Sequence, residues 1–197
     1  RHADPVVSAG AVSVLSATAY GPDGVQPEAM FGSRVTNATN WEGHDPAQLI
    51  ENLRATSIHL WTATGVNGPY DTGPNPAGSG IELLTHLSTQ SFHDRLVAAD
   101  VPSDYHDYTY GTPTFAYWAR DLREYVGPMM KDFRQPRTST TVNYTSVDKR
   151  WQQWGWSASF DRPATQEFSA LTVAGVGGFT LRGSGIAAVT TPPEYRP

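Results

Sequence analysis

The sequence predicts an α/β protein, an open parallel sheet with flanking helices, followed by a small antiparallel β region. Three observations carry that expectation. Val6 to Leu15 and Ser57 to Thr64 are runs of small, apolar and β-branched residues of the kind found in strands covered on both faces. Segments with helical spacing follow the predicted strands in alternation, three times over, which is the order of a parallel sheet built with crossovers. Beyond Arg134-Gln135-Pro136-Arg137 the helical spacing stops and short aromatic and β-branched runs take over. The predicted division is residues 1–134 for the α/β part and 135–197 for the β-rich appendage.

In chain order, the strand over Val6 to Leu15 leads into a long loop from Ser16 to about Gly43, with a turn at Gly21-Pro22-Asp23-Gly24. His44-Asp45-Pro46-Ala47-Gln48 predicts a helix start, with Asp45 as N-cap, Pro46 at the first helical position and Gln48 completing a capping box; Leu49, Ile50 and Leu53 form its apolar stripe. Ser57 to Thr64 is the next strand and ends at Gly65. After a Gly-, Pro- and Asn-rich loop to Ser79, residues 80–98 predict an amphipathic helix with Ile81, Leu84, Leu87, Phe92 and Leu96 on its inner side. Ser103 to Tyr110 is the third strand. Phe115 to about Met130 is the last helix, with Phe115, Trp118, Leu122 and Val126 expected inward. Four strands are predicted in the appendage, at Thr140 to Tyr144, Trp154 to Phe160, Phe168 to Val173 and Phe179 to Val189, with a turn at Gly177-Gly178.

Composition narrows the function classes. The 197 residues are 39% apolar and only 17% charged, with 18 Gly, 15 Pro and a net charge of −5, so the totals give no footprint for nucleic acid or an anionic membrane. Cysteine is absent, which removes disulfides and thiolate chemistry. No run approaches the roughly 18 apolar residues of a transmembrane segment. Arg1-His2-Ala3-Asp4-Pro5 precedes a buried strand with no start signal, so a partner segment completing the sheet is expected upstream, as a separate chain or as part of the same one. Low charge with abundant Gly, Pro, Trp and Tyr suits a secreted or cell-envelope protein.

Thr112-Pro113-Thr114-Phe115-Ala116-Tyr117-Trp118-Ala119-Arg120-Asp121-Leu122 resembles the closing motif of actinobacterial esterases related to the mycolyltransferases of the antigen 85 group. Ala29-Met30-Phe31-Gly32, Trp41, His44-Asp45-Pro46, Asn52-Leu53-Arg54 and Ile58-His59-Leu60-Trp61 are similar to family stretches in the same order. The resemblance implies the later half of an α/β-hydrolase sheet, and an exported serine esterase or acyltransferase acting on lipid or acyl esters. It also locates the departures. The family's catalytic histidine falls on Pro113, which cannot take a proton, and no Gly-x-Ser-x-Gly elbow occurs in the chain. By the same resemblance the triad acid is Glu82, with Asp71 the alternative, because α/β hydrolases in general place their acid nearer the strand end.

Trp41, Phe115, Tyr117 and Trp118 are the candidate substrate-binding residues, with core packing the competing reading and the favoured one for Trp118. Glu82 and His86, four apart, read first as a surface ion pair rather than a metal or acid–base site, and His59 as a structural histidine. Trp151, Trp154 and Trp156 could stack on a sugar, although the face shared by Trp154 and Trp156 reads more readily as packed inward. No cofactor and no metal is expected. Two functions remain: part of a serine esterase whose nucleophile lies upstream, with a lipid or acyl-ester ligand, or a non-catalytic relative that binds or builds.

Overall fold

The computed structural model describes residues 8–12, 25–135, 141–175, 177–193 and 195. The predicted turn at residues 21–24, the ends of the first predicted strand and the Pro136-Arg137 boundary lie outside them. The chain is mixed α/β and divides into two compact units. One contains residues 7–22 and 53–137; the other contains 1–6, 23–52 and 138–197.

The first unit holds a three-stranded parallel sheet in the order β1-β2-β3, from Ser8–Val12, Ser57–Ala63 and Ser103–Tyr108. Every residue of β2 is buried, as expected of a central strand covered on both faces. Alternation along β2 sorts the two faces. Thr62 faces the helix α3 (Pro76–Ala98) through His86, while His59 and Trp61 face the helix α4 (Phe115–Arg134) through Asp132 and Glu124. Strand β3 repeats the division: Ser103 and Tyr105 meet His93 of α3, and Tyr108 meets Glu124 of α4. The unit is therefore three layers, helix on sheet on helix.

Both helices form where the spacing predicts; the inward face differs from expectation over α4 and the first half of α3, while Phe92 and Leu96 are inward as expected. On α3 the buried side chains are Glu82, Thr85, His86, Ser88, Thr89, Phe92 and Leu96, whereas Ile81, Leu84 and Leu87 are exposed. On α4 Tyr117 and Asp121 are buried; Phe115, Trp118, Leu122 and Val126, expected inward, are exposed. The reason is the polar lining of the sheet. His59, His106, Asp104 and Tyr108 on the α4 side demand hydrogen-bonding partners, and Glu124 and Asp132 of α4 serve Tyr108 and His59 as leucine cannot.

The second unit corrects the long-loop expectation for residues 16–43, since α1 (Val25–Phe31) and α2 (Ala38–Gly43) form there. The helix predicted from His44 is instead a turn followed by a 3₁₀ helix at Ile50–Leu53. Asp45 Oδ1 does accept a backbone N–H, from Ala47 at 2.9 Å, but two residues on, which closes a turn rather than capping a helix. The Asn52 N–H stays in the local ladder, donating to the Leu49 carbonyl at 3.0 Å, while its side chain pairs both ways with the Thr145 backbone, at 2.8 Å each.

Among the described residues six strands, not four, follow: β4 (Val142–Ser146), β5 (Arg150–Gln153), β6 (Trp156–Asp161), β7 (Ser169–Gly175), β8 (Gly178–Arg182) and β9 (Ile186–Thr190). They make two antiparallel sheets, β4-β7-β8 and β5-β6-β9. The run Phe179 to Val189 breaks because Gly183 and Gly185 take positive φ, at +157° and +81°. Trp151, Trp156, Phe160, Leu171 and Ala174 from both sheets share one core. Trp156 is thus packed inward, and Trp154 sits in a turn at φ +46° rather than on a strand, so the three tryptophans make no exposed platform.

Candidate functional site

Parallel strands deliver their following loops to one end of the sheet, and this is where the singled-out residues gather. The loop after β2 and the loop after β3 are joined by backbone bonds: Gly65 N–H to the Gly111 carbonyl at 3.0 Å, and Gly111 N–H to the Val66 carbonyl at 2.7 Å. Thr64 Oγ1 adds a bond to the Thr109 carbonyl at 2.8 Å. Gly65 has φ +82°, and a side chain there would collide with the Ser79 carbonyl at the start of α3. That helix is capped by Asn75, whose Oδ1 accepts from Gly78 N–H at 3.0 Å, with Pro76 at the first position.

Asp71 lies at the centre of this end. Its Oδ2 accepts from Gly68 N–H at 2.7 Å and from the Tyr117 hydroxyl at 2.8 Å, and its Oδ1 accepts from the Thr112 hydroxyl. Burial opposes its ionisation, but the Thr112, Gly68 and Tyr117 donors outweigh that and hold its pKa below the ordinary 3.8. Tyr117 Oη also receives the Tyr70 N–H at 3.3 Å, and burial together with the Asp71 carboxylate raises its pKa. Pro113 is the middle of a tight turn closed by Thr114 N–H to the Thr112 carbonyl at 2.7 Å. The fixed φ of proline suits such a turn, which aims the Thr112 hydroxyl at Asp71.

The remaining candidate residues fall elsewhere. Glu82 is 3% exposed on the inner face of α3, one turn before His86, so the pair is not the surface ion pair the spacing suggested. His86 Nδ1 approaches Thr62 Oγ1 at 3.4 Å and Asp107 Oδ1 at 3.5 Å. Phe115 and Trp118 stack edge to face at 5.1 Å and are exposed. Trp41 belongs to the other compact unit, where it is buried, donates to the Gly32 carbonyl at 2.8 Å and packs on Phe31.

Two polar networks beneath α4 lie beyond what the sequence motifs indicate. Trp61 Nε1 and the Tyr108 hydroxyl both donate to Glu124 Oε2, and the Tyr108 bond is the main cause that lowers the Glu124 pKa. The Arg120 guanidinium lies 3.5 Å from the Tyr108 ring centre and donates to Asp121 Oδ1 through Nε at 2.8 Å and Nη2 at 2.7 Å. Burial nevertheless raises the Asp121 pKa, against the pull of Arg120. Nearer the helix end, His59 is held between Asp104 at 3.3 Å and Asp132 at 2.8 Å, and Ser8 also donates to Asp132 at 2.8 Å. The one signal for these networks is an unusually polar third strand, Ser-Asp-Tyr-His-Asp-Tyr.

Chemically, the site offers an ionised carboxylate held beside the turn that follows β3. Among the described residues, no histidine bonds to Asp71 and no group of three or more His, Cys, Asp or Glu is placed to hold a metal ion. None of the curated proteins matches the chain. The model of the family described as "Putative esterase" matches residues 1–129, which include both loops and most of α4 and leave the β-rich tail outside. With well over half its length matched, the chain belongs to this esterase family.

Proposed function

We propose that the chain is the acid-bearing portion of an α/β-hydrolase acting on acyl esters outside the cytoplasm, of the mycolyltransferase-like kind, with Asp71 as the acid. In such enzymes a serine attacks the ester carbonyl, a histidine takes its proton, and the acid orients the imidazole. The observation that carries the reading is the position of Asp71, on the loop after the penultimate described strand of the parallel sheet, bonded to the residue beside Pro113. Its carboxylate has room for about four donors, and three places are taken among the described residues, which leaves one for an imidazole N–H. Glu82, favoured from the resemblance, is buried on the inner face of α3 and stands as the alternative acid. The nucleophile would come from a segment outside these residues that adds strands beside β1.

Pro113 favours a second reading, a family member that binds an ester or acyl ligand without turning it over. A serine-directed fluorophosphonate and a p-nitrophenyl ester separate the two. On the first reading, the natural protein is labelled on a serine outside these 197 residues, and Pro113→His raises its turnover by about 100-fold, the usual worth of a general base. Absence of label and of turnover in both forms would leave only the second.

A further inference from the structure

The six exposed apolar side chains of α4, Phe115, Trp118, Leu122, Val126, Met130 and Phe133, recur at intervals of three or four residues. They form one stripe about 27 Å long at 1.5 Å per residue. Charge on the helix is sorted around that stripe. All three carboxylates are engaged on the sheet side: Asp121 by Arg120, Glu124 by Trp61 and Tyr108, Asp132 by His59 and Ser8. Arg123, Lys131 and Arg134 are exposed, and successive 100° steps place Arg123 and Arg134 along the border of the stripe just past Met130, with Lys131 beyond. None of the three is ion-paired among the described residues.

We infer that α4 docks on an anionic lipid bilayer, its aromatic and aliphatic stripe entering the interface and its basic border facing the headgroups. A helix of this kind lies in the interface plane rather than crossing, and no described helix is long and apolar enough to cross a membrane. The net charge of −5 does not oppose this contact, because charges more than about 8 Å away are screened at physiological salt, while the basic border touches the surface. Basic residues at such a surface each strengthen binding about fivefold. The inference goes beyond the proposed ester chemistry and does not depend on it.

The test is co-sedimentation of the full chain with vesicles of phosphatidylcholine containing a quarter phosphatidylglycerol, and with phosphatidylcholine alone. Binding to the anionic vesicles is expected. Leu122→Glu and Phe133→Glu should each reduce it at least tenfold, Arg123→Glu with Arg134→Glu by at least 25-fold, and Leu87→Glu, on the exposed face of α3, less than twofold. Circular dichroism of each variant checks that the fold is kept; all five positions are exposed. No binding to either vesicle overturns the inference, as does binding that the α4 variants leave unchanged. Equal binding to neutral vesicles overturns the headgroup contact. A dimer that Leu122→Glu dissociates, without vesicle binding, would assign the stripe to a second copy of the chain instead.

Discussion

Tyr117 joins three features at one atom: its hydroxyl donates to Asp71, receives the Tyr70 N–H, and sits on a ring that is 3% exposed. Removing that hydroxyl leaves the Tyr70 N–H without its acceptor and Asp71 with one donor fewer. Tyr117→Phe is therefore expected to cost about 1–2 kcal/mol in chemical denaturation and to raise the Asp71 pKa. Thr112→Val should move that pKa in the same direction, since Thr112 supplies the only bond to Oδ1 among the described residues. Carboxyl NMR titration reads both; an Asp71 signal unmoved by either change would show that these donors do not hold the carboxylate. Thr112 and Tyr117 are both visible in the motif around Pro113, yet their joint partner is not. The 41 and 46 residues separating them from Asp71 are closed only by the fold.

At the level of elements, the sequence tells period more reliably than direction. Ser57 to Ala63 is legible because its branched and apolar residues leave only a covered strand as an explanation. For α3 and α4 the 3.6-residue repeat locates the helices, but it points to the wrong side for α4 and for the first half of α3, while Phe92 and Leu96 are inward as expected. A repeat says that one face differs from the other; what it packs against depends on the neighbouring strand, and β3 is polar. The difference is measurable. Leu96 is fully buried, so Leu96→Ala is expected to cost about 2–5 kcal/mol, whereas Leu122→Ala, at 59% exposure, should fall within about 0.5 kcal/mol. Equal costs in urea denaturation would mean that the α4 stripe is packed after all. The helices α1 and α2 are hidden in the sequence for a different reason. Seven and six residues carry too little periodicity, and Thr36-Asn37-Ala38-Thr39-Asn40 has the composition of a loop.

Across the whole molecule, the engaged carboxylates set the response to acid. Burial of Asp71, Asp104 and Asp132 opposes their ionisation, but hydrogen bonds lower all three pKa values below 3.8; for Asp104 the partners are His106 and His59, for Asp132 they are His59, Ser8 and Ser57. Glu124 is lowered from 4.5, chiefly by Tyr108. A carboxylate with a depressed folded pKa contributes stability above its unfolded pKa and loses it as pH falls through the folded value. Thermal stability is thus expected to be level from neutral pH to about 5 and to decline below about 4. Asp121 runs the other way: its raised pKa favours the folded state most at low pH, and that contribution is lost as pH rises through the folded value. Asp132→Asn should flatten the acid limb in a melting series. An acid limb of unchanged steepness would exclude the His59 network as its source.

The backbone stitching of Gly65, Val66 and Gly111 has a consequence for how such a protein can change its chemistry. Bonds between main-chain groups survive substitution of nearly any side chain, so the loops that carry Asp71 and Thr112 stay joined whatever stands at position 113. On the proposed acyl-ester reading, exchanging that one residue would add or remove a proton acceptor while the joined loops stay as they are.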